Sequence, residues 1–356
     1  MSADGRDAPA WLRPNVAALD PYVPGEQPQE PGWVKLNTNE NPLVLPEVVE
    51  AVAEAATDAI RTYPDPLCTA LREALGARYG LPPESVLCAN GSDELLTLVV
   101  RAAAGEGDRI AFPDPGYSLY ETLARIQNAF PVPIPFGPAW ELPVEHLAAA
   151  GARLTLVTNP NAPSGTPFRL DELDALARQV EGLLVIDEAY VDFGGETALP
   201  LVRRYDHVAV LRTMSKAFGL AGMRLGYAFG APATIAALRT VQDSYPVDRI
   251  TQEAGLAAVR HFDAALANCR EIAARRDRYA ALLRERFGWK VWPSATNFLL
   301  AETAPRAAPE VFEGLRRRRV LVRYFSRPRL TGALRISIGS EAEMAALVRA
   351  LEELLA

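Results

Sequence analysis

Apolar and polar positions along this chain follow two periods that take turns. After a proline-rich stretch from Pro21 to Pro31, residues Pro46 to Arg61 carry apolar side chains at helical spacing behind a leading proline, and Leu67 to Tyr79 repeats that pattern. Short apolar runs then alternate with amphipathic stretches. Strands are predicted at Ser85 to Ala89, Arg109 to Phe112, Val132 to Phe136, Leu154 to Thr158, Leu183 to Ile186, Val208 to Leu211 and Gly226 to Gly230. Helices fall between them at Ser92 to Ala104, Tyr117 to Asn128 and Leu170 to Val180. Strands that read as nearly continuous apolar runs, separated by helices, imply a mostly parallel sheet covered on both faces.

That rhythm breaks after Asp248, where long helical patterns run to Phe287. Short strands follow near Trp289 to Trp292, Phe298 to Ala301, Val320 to Val322 and Leu334 to Ile338, with a last helix from Glu341 to Leu355. The expected architecture is α/β: a large α/β/α sandwich domain over residues 46–255 and a smaller α+β domain over 256–356, which the N-terminal arm (1–45) joins. A length of 356 residues suits about two domains.

Composition narrows the class. The chain is 49% hydrophobic and 23% charged, and no stretch approaches the roughly 18 consecutive apolar residues of a membrane helix. Met1 to Asn15 is polar and broken by Pro9 and Pro14, unlike a signal peptide, so the expected compartment is the cytoplasm. A net charge of −7 argues against a nucleic-acid binder, and Arg316 to Arg319 reads as a solvated helix end. Cys68, Cys88 and Cys269 form no metal-type pair, and nothing points to a metal. His146, His207 and His261 read as structural. Of 37 basic residues only Lys35, Lys216 and Lys290 are lysine. Arginine stays protonated, so chemistry that needs a deprotonable amine has three candidates.

Lys216 has the most suggestive neighbours. It follows a strand end and precedes a Gly-rich turn, with Ser215 and Arg224 close in sequence. Loops at the carboxyl ends of parallel strands are where α/β sheets hold ligands. A serine hydroxyl and an arginine fork suit a phosphate, and an amine beside a phosphate suggests a phosphorylated carbonyl cofactor held as a Schiff base. Asp187, ending the run Leu183-Leu-Val-Ile, could cap the next segment, or bind Mg²⁺ beside a nucleotide. It could also hold a pyridinium nitrogen, as pyridoxal phosphate requires. The Mg²⁺ option needs a Walker-type loop, which the sequence lacks. Tyr190 stands three residues on, where it could meet the cofactor's phenolic oxygen. Asn90-Gly91-Ser92-Asp93 reads as a helix start able to take a phosphate on its free N–H groups. The turn Asn159-Pro-Asn161-Ala-Pro-Ser-Gly165 is placed to wall the same cleft. Arg335 interrupts an apolar, alternating strand, which suits an anionic ligand.

Together these segments resemble the fold-type I pyridoxal-phosphate aminotransferases of the aspartate aminotransferase superfamily, and within it the histidinol-phosphate aminotransferase family. The markers span nearly the whole chain: Lys35-Leu-Asn-Thr-Asn-Glu-Asn-Pro42, Tyr63-Pro-Asp-Pro66, Gly91-Ser-Asp-Glu94, Asp187-Glu-Ala-Tyr190, Thr213-Met-Ser-Lys216, Leu220-Ala-Gly-Met-Arg224 and Val322-Arg-Tyr-Phe325.

The resemblance implies that Lys216 carries the cofactor and shuttles a proton, that Asp187 pairs with its ring nitrogen and Tyr190 with its phenolic oxygen, and that Tyr117 stacks on the ring. Gly91, Ser92, Asp93, Ser215 and Arg224 would hold the phosphate, with Tyr63 reaching the cofactor of a neighbouring subunit in a homodimer. Arg335, Arg323 and Tyr22 would bind substrate: histidinol phosphate in one half-reaction, glutamate and 2-oxoglutarate in the other. One departure stands out. Where many relatives carry asparagine before the Pro-Thr/Ser-Gly turn, this chain has Ala162, so Asn161 or Tyr190 alone would contact the phenolic oxygen. An aromatic amino-acid aminotransferase and a threonine-phosphate decarboxylase remain open on the same scaffold, as does a cofactor-binding protein without turnover.

Overall fold

The computed structural model describes residues 9–19 and 25–356. A short strand β1 (Val34–Lys35) precedes the large sheet. That sheet comprises β2 (Val86–Asn90), β3 (Arg109–Asp114), β4 (Phe130–Pro135), β5 (Leu154–Thr158), β6 (Leu183–Asp187), β7 (Val208–Thr213) and β8 (Leu225–Phe229). Their order is β2-β8-β7-β6-β5-β3-β4, and all neighbours pair in parallel except β8, which is antiparallel to both β2 and β7. The link from β7 to β8 has no crossover helix over the sheet, and a short link joins antiparallel neighbours. Lys216 lies in that link, on the single helical turn Met214–Ala217.

Side chains alternate faces along each strand. Leu184 and Ile186 of β6 join Val208 and Val210 of β7 in one apolar layer, and Val185 joins Ala209 and Leu211 in the other. Continuing the alternation puts Asp187 and Thr213 on one face and Arg212 on the opposite one. The edge strand β4 carries Pro131, Pro133 and Pro135 at every second position. Prolines so spaced leave their missing N–H groups on one side of an edge strand, where no ladder bond is lost and a stray strand finds no partner.

The long helical stretch resolves into Arg249–Arg260, capped by Asp248, and Phe262–Phe287, with the break at His261 and the end at Gly288. Gly288 adopts φ +68°, a left-handed conformation that favours glycine at a helix end. Beyond lie β9 (Lys290–Val291), β10 (Phe298–Glu302), β11 (Val320–Leu321), β12 (Arg323–Tyr324) and β13 (Ala333–Ser337). Four of these form an antiparallel sheet in the order β12-β13-β10-β9. β11 pairs instead with β1, so the arm's residues 34–35 lie against the C-terminal part of the chain. The basic run at 316–319 does more than sit in solvent: Arg316 pairs with Glu26, Arg318 with Glu353, and Arg319 donates to the Pro31 carbonyl. The last helix, Glu341–Leu355, opens with a reciprocal Ser340–Glu343 cap. The short helices Val144–Ala149 and Pro232–Thr240, which the apolar periodicity did not reveal, complete the cover.

Candidate active site

Three adjacent parallel strands end together. Thr158 of β5 lies beside Asp187 of β6, and Asp187 beside Leu211 of β7. The cavity of about 450 Å3 over these ends is also lined by the arm and by β12 and β13. Its floor is Asp187, 4% exposed, whose carboxylate accepts from the Ala189 N–H (3.1 Å) and the Tyr120 hydroxyl (3.2 Å). Tyr120 is itself held by Thr158, 2.7 Å away. Burial pushes the Asp187 carboxyl up to about 7, against the pull of those two donors.

Lys216 faces the same space. Thr213 accepts from the Ser215 N–H and so caps the turn that carries it. The Lys216 amine donates to the Thr38 carbonyl at 3.1 Å and stands 6.0 Å from the centre of the Tyr190 ring. Burial, then the positive charge of Arg335, push it down to about 8, while Glu40 and Asp93 pull the other way. The other two lysines are spoken for: Lys35 lies 2.5 Å from Glu40, and Lys290 pairs with Glu302 over the Trp292 ring.

At one end of the cavity the helix Gly91–Ala103 begins, bringing Ser92 and Asp93 next to Ser215 and Arg224. Gly91 sits at φ +81°, and a Cβ there would stand 2.8 Å from the Arg224 guanidinium. Gly226 of β8 permits the close approach from below, since its Cβ would fall 2.4 Å from the Gly91 carbonyl carbon. Two hydroxyls, a guanidinium and open N–H groups at a helix start form a cradle for a phosphate. Tyr117 donates to Asp93 at 3.0 Å, and its ring meets Tyr120 edge-on.

The opposite end is cationic. Arg335 donates to the Asn37 carbonyl and lies between the Phe298 and Phe325 rings, at 5.3 and 5.4 Å. Arg323 stands across from it in the β12–β13 pair, and Arg327 reaches Asp114 at 2.9 Å.

The cavity wall thus brings together Ser92, Asp93, Tyr117, Asp187, Tyr190, Ser215, Lys216, Arg224, Arg323 and Arg335. Gly91 lies behind Arg224. The Asn161 amide donates to Ser164 instead of facing the cavity, and Ala162 and Pro163 form the wall at that turn. Tyr63 is 76% exposed, stacked on Tyr245 at 4.3 Å. Tyr22 lies outside the described residues. Sequence reasoning missed Thr38, Asn39, Tyr120, Thr158 and Arg327. The first two stand inside the quoted Lys35–Pro42 segment, but nothing in the sequence says what they face.

On the far face of the sheet, Arg212 is buried against Glu188 (2.8 Å), with Asp192, Thr197 and the Tyr79 hydroxyl around it. This network holds the segment after Asp187 from behind. Among the described residues no group of histidine, cysteine or acidic side chains could hold a metal, and no helix is long and apolar enough to cross a membrane.

Known proteins share this chain's sequence pattern and fold. The family model "Aminotransferase class I and II" matches residues 31–351, and the chain belongs to that family. It is 44% identical, over 96% of its length and 99% of the relative's, to a histidinol-phosphate aminotransferase of Geotalea uraniireducens. The crystal structure of histidinol-phosphate aminotransferase from Sinorhizobium meliloti in complex with pyridoxal-5'-phosphate superposes with a TM-score of 0.90 at 28% identity, covering 98% of both chains. The fold is therefore that of the fold-type I pyridoxal-phosphate transferases. An L-threonine-O-3-phosphate decarboxylase from Porphyromonas gingivalis shares the fold alone, with a TM-score of 0.81 at 22% identity over 90% of this chain and 99% of that one.

Proposed function

We propose that the chain is a pyridoxal-phosphate-dependent transaminase that exchanges the amino group between L-histidinol phosphate and 2-oxoglutarate, giving imidazole-acetol phosphate and L-glutamate in histidine biosynthesis. The observation that carries this reading is one half-buried amine, lowered to about 8, in the same cavity as a buried carboxylate, with a phosphate cradle and a cluster of arginines around them. The donor set fits the cofactor. The Asp187 carboxyl, raised to about 7 by burial, has neutral donors around it, and a protonated ring nitrogen is the cation that would keep it ionised.

Pyridoxal phosphate supplies an aldehyde that condenses with amines and a ring that accepts the electron pair of the substrate's α-carbon. The chain's residues do the rest. Ser92, Ser215, Arg224 and the Asp93 N–H hold the phosphate, backed by Gly91. Tyr117 covers the ring, Tyr190 donates to the phenolic oxygen, and Asp187 holds the ring proton. Lys216 would hold the cofactor and would serve as the group that moves a proton at the substrate's α-carbon. An amine near pKa 8 is matched to that task. Arg335 and Arg323 would grip the substrate's phosphate or carboxylate, since a guanidinium fork donates to either, and the family resemblance adds Tyr22 as a substrate contact. Asn161 is left with a supporting role in the turn.

We read residues 46–255 as the cofactor-binding domain and 256–356, with the arm 1–45, as the domain that closes over substrate. We infer a cytoplasmic homodimer in which Tyr63 serves the partner's site. In support, Tyr63 and Tyr245 stack on each other at the surface, both exposed. Purified protein loaded with the cofactor should be yellow, lose that colour on adding glutamate, and turn over histidinol phosphate faster than phenylalanine. Lys216→Ala should abolish both the lysine-linked colour and the response to glutamate. An unchanged wild-type spectrum with glutamate sinks the transaminase reading, and a preference for phenylalanine shifts it to an aromatic aminotransferase.

A further inference from the structure

Tyr190 sits where its hydroxyl faces the cavity, yet the turn that would be expected to steer it offers Ala162, which has no polar side chain, and Asn161, whose amide is engaged by Ser164. The amide that does reach the phenol comes from 151 residues away. Asn39 Nδ2 donates to the Tyr190 hydroxyl oxygen at 3.0 Å.

Asn39 is built into place. It is 1% exposed and adopts φ +56°, a left-handed conformation that asparagine tolerates better than most side chains. Its N–H donates to Ser337 Oγ at 2.8 Å, and Asn297 donates to its carbonyl at 2.9 Å. Ser337 Oγ gives its one hydrogen to Asn39 Oδ1, 3.0 Å away. With its oxygen on Ser337, the amide turns its NH2 toward Tyr190. The phenol oxygen thereby accepts from Asn39, and its own hydrogen is left to point into the cavity. Lys216, Arg335, Asp187 and Asp93 are the charged groups that also act on this phenol or stand beside it.

We infer that Asn39 is a positioning residue that aims the Tyr190 hydroxyl hydrogen at the ligand's oxygen, in the role that the turn bearing Ala162 does not fill. The inference rests on the transaminase reading above, in which that oxygen is the cofactor's phenolic oxygen. Asn39 acts through Tyr190. A phenol that donates to the phenolic oxygen stabilises negative charge there, so the neighbouring lysine-linked nitrogen loses its proton at lower pH. Without Asn39 the donation weakens and that midpoint rises.

The test is a pH titration of the cofactor's visible absorbance in the loaded protein, which needs no turnover. Asn39→Gly removes the amide while keeping a residue at ease with φ +56°. One hydrogen bond's worth of steering predicts an upward midpoint shift of about 0.5–1 pH unit. Asn39→Asp places a carboxylate where the amide was. It would take the Tyr190 hydrogen for itself and should shift the midpoint upward at least as far. In a Tyr190→Phe background Asn39→Gly, which adds no charge, should not move the midpoint further. The inference is overturned if both Asn39 variants titrate like the wild type, or if the Asn39→Gly shift persists undiminished beside Tyr190→Phe. A wild-type protein with no cofactor band sinks the transaminase reading and this inference with it; a wild type that titrates normally while the variants do not differ sinks only the inference.

Discussion

Asp187 should make the empty protein less stable than it would be with a neutral side chain at that position. Burial lifts its carboxyl from 3.8 to about 7, so between those values the folded chain keeps a proton that the unfolded chain has released. A group that binds more protons in the folded state makes stability fall as pH rises. The slope is about 1.4 kcal/mol per pH unit across that window, and the accumulated penalty above pH 7 is about 4 kcal/mol. Asp187→Asn keeps the shape and removes the titration. Its Oδ1 can still accept from the Ala189 N–H, and its amide can donate to the Tyr120 oxygen. Cofactor-free wild type and Asp187→Asn should therefore unfold in denaturant with nearly equal stability at pH 4. They should diverge steadily to about 4 kcal/mol in favour of the variant by pH 8. On the proposed reading the same substitution should weaken cofactor binding, because a protonated ring nitrogen would lose its anionic partner. Urea titrations of both proteins from pH 4 to 8.5 decide the matter. A variant no more stable than wild type at pH 8, or a gap that does not change with pH, would refute a carboxylate held against its solvation preference.

Further outcomes follow from the same geometry. Tyr120→Phe removes one of the two donors to Asp187 and should cost about 1 kcal/mol of cofactor affinity, a loss of about fivefold measurable by equilibrium titration. Lys216 should undergo reductive methylation in the cofactor-free protein with a midpoint near pH 8, and Arg335→Gln should move that midpoint upward because the Arg335 charge helps to lower it; peptide mass spectrometry across pH reads both. Arg212→Met strands Glu188, which is 1% exposed, without its cation and should destabilise the chain by about 3–5 kcal/mol in denaturant unfolding, with Glu188→Gln restoring part of the loss.

What could be read in the sequence was whatever depends on neighbours along the chain. A strand that ends in an acid, a lysine between a serine and a glycine-rich turn, and an arginine in an apolar strand are local patterns, and Asp187, Lys216 and Arg335 do meet in one cavity. The antiparallel setting of β8 was not legible, because it follows from a connection too short to cross the sheet, and the apolar run itself has no direction. Long-range partners were hidden for a related reason. Tyr120 has the sequence context of any core aromatic on a helix face, and only the pairing of β5 with β6 sets its hydroxyl between Thr158 and Asp187. Asn39 is polar in a polar segment, and its meaning comes from Ser337 and Tyr190, residues 298 and 151 positions away. The turn at Asn159–Gly165 shows the limit from the other side: spacing places it at the cavity, yet the direction in which Asn161 points is set by a bond to Ser164 within the turn. Local pattern thus fixes which strand ends carry chemistry, and the hydrogen bonds that aim those groups are supplied by segments brought in by the fold. That division is why the groups that meet in the cavity could be named from the chain alone while the residues that hydrogen-bond to them could not.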